Sequence, residues 1–305
     1  MKPHDPYGPM LAELRGLNDA DTDDIFHESL HQAQPYVMNL RIAYRKTPSN
    51  VDFSCQHTRA AYLLAYYPNF IEPLYEILSR LPPEVVQNAF GCEKVRGLFL
   101  GAGPAPEVLG WIAFLNDHIP EAEIATAYLL DKYIHGWRTG QEITRYHLAP
   151  YYWPKGQIAL KPMNFDFLDP ETLKDPFVQR SIQISDLVVM QNCLNDQLGN
   201  HQPVMTMLQN VFTQVKPGTL FIISDINYNT IRGIIQKFSN FVAQSRLGEV
   251  LLHVQKQASR IRSSIDIPPI ILEHLLIGDA GRNLIPRKYT YFYSAVFQRT
   301  EEIPL

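Results

Sequence analysis

The sequence predicts an α/β fold, in which a doubly wound and mostly parallel sheet follows an N-terminal helical cap. Five short apolar runs alternate with segments of helical or irregular pattern; they lie at residues 95–100, 124–130, 157–163, 186–190 and 219–224. The first run ends in glycines and leads straight into a helical pattern, which is a strand, a turn and a helix. Ligands of such sheets bind outside the carboxyl ends of the strands.

The regions that flank these five runs carry other patterns. From residue 60 to residue 81 apolar side chains recur at helical spacing, and Pro68 and Pro73 predict a kink between two short helices. Residues 256–264 are interpreted as a modestly basic helix face. The aromatic stretch at 289–297 predicts an antiparallel edge strand that closes the sheet. We therefore expect two parts, a helical cap at residues 1–92 and an α/β domain at residues 93–305.

Composition excludes several classes of protein. Hydrophobic residues make up 46% of the 305 residues and charged residues 19%, which is typical of a globular chain and not of a disordered one. The net charge of −4 gives no overall attraction to a phosphate backbone, so a nucleic acid would need a local basic patch. No apolar run is long enough for a membrane span, and the N-terminus lacks the pattern of a secretory signal. We expect a cytoplasmic protein.

The three cysteines, Cys55, Cys92 and Cys193, are far apart and predict free thiols in a reducing compartment. Neither they nor the histidines have the spacing of a metal site, so no metal is predicted. The sequence predicts no oligomeric state.

Glycines and carboxylates follow the first two predicted strands. Gly101 and Gly103 allow a ligand to approach the backbone closely, although the same glycines would also serve a plain tight turn. Asp131 ends the second run, where a carboxylate can accept hydrogen bonds from both ribose hydroxyls or can instead cap the next helix. Pro106 stands where a dinucleotide site has its third glycine, which disfavours a dinucleotide.

Polar residues also follow the third and fourth strands. Asp166, between Phe165 and Phe167, is placed to accept from an adenine amine while a phenyl ring flanks the base. The alternative is that Asp166 caps a turn before Pro170. The fourth strand ends in a polar cluster at residues 190–196, at the same edge of the sheet.

Taken in order, the runs LFLGAGPAPEVLGW, LLD, NFDFLD, DLVVMQNCLND and PGTLFIISD resemble the successive motifs of class I S-adenosylmethionine-dependent methyltransferases, over roughly residues 93–300. The resemblance implies a Rossmann-like methyltransferase domain with S-adenosyl-L-methionine as its cofactor. The glycines would line the methionine part, Asp131 the ribose, Asp166 the adenine amine, and Gln191 or Asn192 the reaction face. The full set of implied cofactor-binding residues is Gly101, Ala102, Gly103, Asp131, Lys132, Asp166, Phe167, Gln191 and Asn192.

A narrower likeness concerns the glycine loop with Glu107 and Gly110 and the stretch 131–137. These segments are similar to a branch that includes fungal ribosomal-RNA uridine methyltransferases and mitochondrial ribosome-associated methyltransferase-like proteins. However, the chain lacks a strongly basic extension, and it lacks the Asn/Asp-Pro-Pro-Tyr/Phe run of amino-group methyltransferases. The methyl acceptor is therefore left open between a small molecule and RNA.

The cap is the expected source of substrate contacts, because residues 36–80 are too aromatic for a free surface helix. We expect this segment, with Arg59, Tyr62, Tyr66 and Tyr67, near the carboxyl ends of the first and fourth strands. The candidate substrate-binding residues are Arg59, Tyr62 and Tyr66 of the cap and Asn195 after the fourth strand. For Arg59 the alternative is an ordinary exposed arginine.

A sulfonium already activates its methyl group, so no catalytic triad is expected. The sequence does not select a general base among Asp196, His57 and the cap tyrosines. Two other functions share these motifs: a catalytically inactive, cofactor-binding interaction protein, and an aminocarboxypropyl-type transferase that uses the same cofactor.

Overall fold

The fold is that of a computed structural model, which describes residues 5–17, 22–46, 51–195, 200–276, 284 and 289–301. Within these ranges one sheet has the strand order β3-β2-β1-β4-β5-β8-β6, with β7 paired to β8 as well. The strands are β1 (Lys94–Leu100), β2 (Ile124–Asp131), β3 (Gln157–Asn164), β4 (Leu187–Gln191), β5 (Leu220–Ile226), β6 (Gly248–Leu252), β7 (Ser259–Arg262) and β8 (Tyr289–Arg299). The first five strands are parallel and β8 is antiparallel to β5, which confirms the predicted doubly wound α/β fold.

Helices surround this sheet. They are α1 (Tyr7–Leu17), α2 (Asp23–Ala43), α3 (Gln56–Ala65), α4 (Glu72–Leu78), α5 (Pro83–Phe90), α6 (Pro106–His118), α7 (Arg138–Glu142), α8 (Ala149–Tyr152), α9 (Pro176–Ile184), α10 (His201–Gln214), α11 (Asn229–Ser245) and α12 (Pro269–Ile271). Shorter 3₁₀ and π turns lie at Tyr67–Phe70, Ile134–Trp137, Ile143–Leu148, Pro170–Lys174 and Leu272–Leu276. None of the described helices combines the length and hydropathy needed to cross a bilayer.

The strand order reverses between β1 and β4, because β2 and β3 extend to one side of β1 and the later strands extend to the other. In an open α/β sheet this reversal opens a crevice at the carboxyl ends of the two central strands. The loops after Leu100 and Gln191 therefore meet at this point.

Two hydrophobic cores cover the two faces of the sheet. The first packs α6 and the N-terminal helices against one face, and the second packs α9, α10 and α11 against the other. Gly110 of α6 is needed for the first core, since a Cβ there would lie 2.1 Å from the carbonyl oxygen of Ile71. The N-terminal helices thus share a core with the sheet, and the division at residue 93 remains a prediction.

The segment before the sheet has the predicted kink: α3, a 3₁₀ turn at Tyr67–Phe70 and α4 follow one another, with Pro68 and Pro73 at the starts of the last two. Proline removes a helical hydrogen bond and has a fixed φ, so it starts a new helical segment here.

Two predictions for the C-terminal region are wrong. The strand at 289–299 is not an edge strand, because β6 and β7 pair with its outer side. Residues 259–262 form β7 and not part of a basic helix: Ser259 and Ile261 are half-buried while Arg260 and Arg262 are exposed, the two-residue alternation of a strand. Pairing with β8 outweighs the weak local helical pattern.

Candidate functional site

A cavity of about 280 Å³ lies at the carboxyl ends of the central strands. Its walls come from the loop after β1 with the first turn of α6, from residues 131–133 with Trp137, from residues 165–168, from residues 191–193 with Asn200, and from the cap residues Tyr44, Val51, Phe53 and Tyr62. The cavity brings together all nine residues that the methyltransferase resemblance implies for the cofactor.

The loop after β1 has a backbone that requires glycine. Gly101 and Gly103 have φ angles of +67° and +51°, in the left-handed region. A Cβ on Gly101 would lie 2.7 Å from the Cβ and Sγ of Cys193, so the loops after β1 and β4 touch each other at this residue. The Gly101 N–H donates to the carbonyl oxygen of Leu130 at 2.7 Å. A side chain at position 101 would therefore push these two loops apart.

Asp131 at the end of β2 is the anchor of the glycine loop. Its Oδ2 accepts from the Gly103 N–H at 3.0 Å, and its Oδ1 accepts from the Tyr133 N–H at 2.7 Å. Burial raises the pKa of Asp131, against the effect of these two hydrogen bonds. The carboxylate fixes the start of the next turn and also lines the cavity, so the two interpretations of Asp131 are not exclusive.

Asp166 after β3 forms an ion pair, with 2.9 Å between its Oδ2 and the Lys132 Nζ, and its Oδ1 accepts from the Leu168 N–H at 2.9 Å. Partial burial acts to raise the pKa of Asp166, but the Leu168 N–H and the Lys132 ammonium outweigh it and hold the pKa below its ordinary value. Beside it the rings of Phe165 and Phe167 are perpendicular, with centroids 5.3 Å apart. This corner of the cavity therefore has two aromatic walls and an ionised carboxylate.

Gln191 and Asn192 occupy the end of β4. Gln191 Nε2 donates to the carbonyl oxygen of Phe70 at 2.8 Å and so ties the cap to the sheet. Gln191 Oε1 is buried and accepts no hydrogen bond from the described part of the chain. Asn192 has a φ of +57°, and its N–H donates to the Ser224 carbonyl oxygen at 2.9 Å.

The candidate substrate-binding residues are placed differently from one another. Tyr62 lines the cavity, and its ring stacks on Tyr66 at 5.8 Å and packs against Trp137 at 5.5 Å. Tyr66 and Asn195 are buried and do not line the cavity. Arg59 also lies outside the lining, since its Nη1 donates to the carbonyl oxygens of Phe53 and Ser54 at 2.7 Å each.

The expected position of the cap at this edge of the sheet is therefore confirmed for Tyr62, which shares the cavity with Gly101 and Asn192. Arg59 acts indirectly, because its guanidinium holds the segment that contributes Phe53 to the wall. Asp196, one of the candidate bases, lies outside the described residues.

Two buried carboxyl groups near the cavity lie inside the quoted motifs, but the sequence assigns neither of them a role. Asp225 at the end of β5 is fully buried and accepts from the N–H groups of Leu194 at 2.6 Å and Ile226 at 2.7 Å. Burial raises its pKa to about 7 against the effect of these hydrogen bonds. Asp225 thereby fixes the loop after β4. Its signal in the sequence is an acidic residue inside the apolar run LFIISDI.

The second is Glu107, which lines the cavity in the first turn of α6 and is only 4% exposed. Burial raises its pKa to about 8, its own backbone N–H opposes the shift, and the charge of Asp131 adds to it. A carboxyl group in a first helical turn is usually solvated, so its burial could not be read from the sequence.

Among the described residues, no three or more His, Cys, Asp or Glu side chains are grouped so that they could hold a metal ion.

No protein-family profile matches the chain, and no curated protein matches it. Among solved structures it is similar to the precorrin-6y C5,15-methyltransferase of Geobacter metallireducens, at 10% identity and a TM-score of 0.38, over 72% of this chain and 88% of the other. It is also similar to the mitomycin 7-O-methyltransferase MmcR, at 11% identity and a TM-score of 0.40, over 87% of this chain and 67% of the other. At these values the fold assignment rests on the strand order itself and not on the likenesses.

Proposed function

We propose that the chain is an S-adenosylmethionine-dependent methyltransferase. The observation that carries the proposal is the single cavity at the β1 and β4 reversal, into which the glycine loop, Asp131, Asp166 and the end of β4 all converge. The five motifs that support the class I resemblance in the sequence thus contribute to one site or brace it, the last of them through Asp225.

The residues fit the chemical groups of this cofactor. Asp131 offers carboxylate oxygens to paired hydroxyls, and the Phe165 and Phe167 rings offer flat apolar walls to a base. Gly101 and Gly103 both line the cavity, and without side chains they leave the backbone of this loop open to a ligand. The cavity of about 280 Å³ is close to the lower limit of about 300 Å³ for small-molecule sites.

The charge of the cavity lining favours S-adenosylmethionine over a dinucleotide. The lining carries three carboxyl groups, Glu107, Asp131 and Asp166, and the Lys132 ammonium is already paired with Asp166. A pyrophosphate in this cavity would meet the negative charge of Asp131 without a matching cation, whereas a sulfonium ligand is attracted. The electrostatics agree with the loop sequence, which has Pro106 in place of a third glycine.

When bound, S-adenosylmethionine supplies a methyl group that its sulfonium has already activated for transfer. The chain's task is to position the acceptor and to exclude water. Tyr62, Phe53 and Trp137 form the aromatic wall that does this, and the rings of Phe53 and Trp137 each pack against Tyr62 at 5.5 Å. The buried Gln191 Oε1 can accept a hydrogen bond from an N–H or O–H group of the acceptor and so orient it. The acceptor is a small molecule or an RNA.

The test is incubation of the purified chain with methyl-labelled cofactor and a cell extract, followed by separation into RNA, protein and small-molecule fractions. Label in one fraction supports the proposal and identifies the class of acceptor. Release of methylthioadenosine without methyl incorporation would indicate aminocarboxypropyl transfer instead. Cofactor binding with neither product would favour the interaction protein. Heat-inactivated chain gives the background, and Asp131→Ala, which is expected to bind the cofactor more weakly, should incorporate less label at low cofactor concentration.

A further inference from the structure

Glu107 differs from the other two carboxyl groups of the cavity in lacking a partner that offsets its charge. Asp131 accepts from two backbone N–H groups and Asp166 pairs with Lys132, whereas the hydrogen bond to the Glu107 carboxyl group comes from its own backbone N–H. No described Lys, Arg or His contributes to its pKa. Burying an ionised carboxylate without a cation costs several kcal/mol, so such a group stays protonated instead.

The groups that face Glu107 are neutral or negative. Asp131 faces it from the end of β2, and Tyr67 faces it from the 3₁₀ turn of the cap. Tyr67 is buried next to Tyr152 of α8, and its hydroxyl hydrogen bonds to Thr144 at 2.6 Å. Glu72 of α4 accepts from the N–H and hydroxyl of Ser264. Tyr75 of α4 lies near Glu76 and hydrogen bonds to Asp117 and His118 at the opposite end of α6. With a pKa raised to about 8, Glu107 carries a proton at neutral pH in the free protein.

We propose that Glu107 binds the α-ammonium group of the cofactor's methionine portion and loses its proton when it does so. The inference rests on the proposed function. The position of Glu107 supports the proposal. The nucleoside would occupy the β2 and β3 side of the cavity, which is lined by Asp131, Asp166 and the two phenylalanines. The amino-acid end would then lie on the α6 side, where Glu107 is. Of the three carboxyl groups, Glu107 is the one with no cation or pair of N–H donors already in place.

The step balances in protons and charge. The free site holds a neutral carboxylic acid, and the ligand brings an ammonium. After binding, the site holds a carboxylate hydrogen bonded to that ammonium, and one proton has passed to solvent. Glu107 becomes charged only when the ammonium of the ligand is beside it, so the free protein avoids the cost of a buried, unpaired carboxylate.

The test is titration calorimetry of the wild-type chain at pH 6.5 in buffers of different ionisation enthalpy, which counts the protons released. The two probes are S-adenosylhomocysteine, which keeps the α-ammonium, and 5′-methylthioadenosine, which lacks the amino-acid portion. We expect S-adenosylhomocysteine to release close to one proton and methylthioadenosine none. The affinity for S-adenosylhomocysteine should also rise by up to about tenfold between pH 6 and pH 7, as linkage requires for one released proton.

Two variants sharpen the measurement. Glu107→Gln should abolish the proton release and the pH dependence while methylthioadenosine still binds. Asp166→Asn is the matched control: Asp166 lines the same cavity but has a lowered pKa and is already ionised, so its removal should weaken binding and leave the proton count unchanged.

Binding of S-adenosylhomocysteine to the wild-type chain without proton release would overturn this inference and leave the proposed function intact. The same holds if Glu107→Gln releases as many protons as wild type. If the wild-type chain binds neither probe, the proposed function fails and the inference fails with it. The wild-type comparison of two probes needs no variant, so a poorly folding Glu107→Gln chain does not prevent the test.

Discussion

At the β2 and β3 end of the cavity the chain supplies the partners of its own carboxylates, whereas at the α6 end it does not. Asp131 is held by the N–H groups of Gly103 and Tyr133, and Asp166 is held by Lys132 and the Leu168 N–H. Glu107 is buried at the α6 end without a cation, and the Oε1 of Gln191 is buried at the end of β4 without a donor among the described residues.

The two ends of the cavity therefore differ in how far their polar groups are held in place before a ligand binds. At the β2 and β3 end the carboxylates are held in place before any ligand arrives, because backbone N–H groups donate to them. The α6 end holds groups whose partners must come with a ligand, so binding there changes the protonation of the protein. Substitutions should therefore act on affinity at the first end and on the pH dependence of affinity or stability at the second.

The largest effect is expected for Gly101→Ala. A non-glycine residue in the left-handed region costs about 1–2 kcal/mol, and the added Cβ would also lie 2.7 Å from Cys193. Because the loops after β1 and β4 would have to separate, binding of S-adenosylhomocysteine should weaken by more than about tenfold in calorimetry.

The matched control for this change is Gly233→Ala in α11, where an added Cβ meets no atom within 4 Å. It should leave binding unchanged. Wild-type affinity in Gly101→Ala would mean that the ligand does not approach this loop.

The next effect is expected for Asp131→Ala. Loss of a charged acceptor from buried hydroxyl groups should weaken S-adenosylhomocysteine binding by about 1–3 kcal/mol, while circular dichroism shows a folded chain. Asp117→Ala is the control, because this carboxylate accepts from Tyr75 at the far end of α6 and should affect binding little. An unchanged dissociation constant in Asp131→Ala would reduce Asp131 to a brace of the Gly103 and Tyr133 backbone.

A smaller effect is expected on how the stability of the free protein depends on pH. The folded-state pKa of Glu107, about 8, lies above its unfolded value, so its contribution is fully present at low pH and is lost as pH rises towards 8. Between pH 6 and pH 8 this loss is on the order of 2 kcal/mol in the wild-type chain. Glu107→Gln should remove it, so the variant should gain in melting temperature relative to wild type as pH rises.

Asp225, whose pKa is raised to about 7, contributes to the same trend in both chains and cancels in the comparison. Equal pH dependence of the two melting temperatures would show that Glu107 is already ionised in the free protein.

The sequence predicted the central strands and which residues meet at the carboxyl ends of these strands, because both depend on local signals. Apolar runs place β1 to β5 within two residues at either end, and the glycines after Leu100 are required by backbone angles that few other residues adopt. The same is true of Asp131, whose position at the end of an apolar run puts it at the crevice.

What the sequence could not predict depends on contacts between distant segments. The strand β7 is recognisable only through its pairing with β8, about thirty residues later. The burial of Glu107 follows from the cap closing over the start of α6, and Arg59 turns to the Phe53 and Ser54 carbonyl groups instead of the cavity because that loop folds back on it. Phe53 and Trp137 lie more than eighty residues apart in the sequence, and they meet in the cavity wall only because the chain has folded.

The most direct test of the central claim is a calorimetric comparison of S-adenosylhomocysteine and NAD with the same wild-type preparation. The acidic lining and the Pro106 loop predict saturable binding of S-adenosylhomocysteine, competition with S-adenosylmethionine, and no detectable binding of NAD. Tighter binding of NAD than of S-adenosylhomocysteine would contradict the cofactor assignment and with it the proposed methyltransferase.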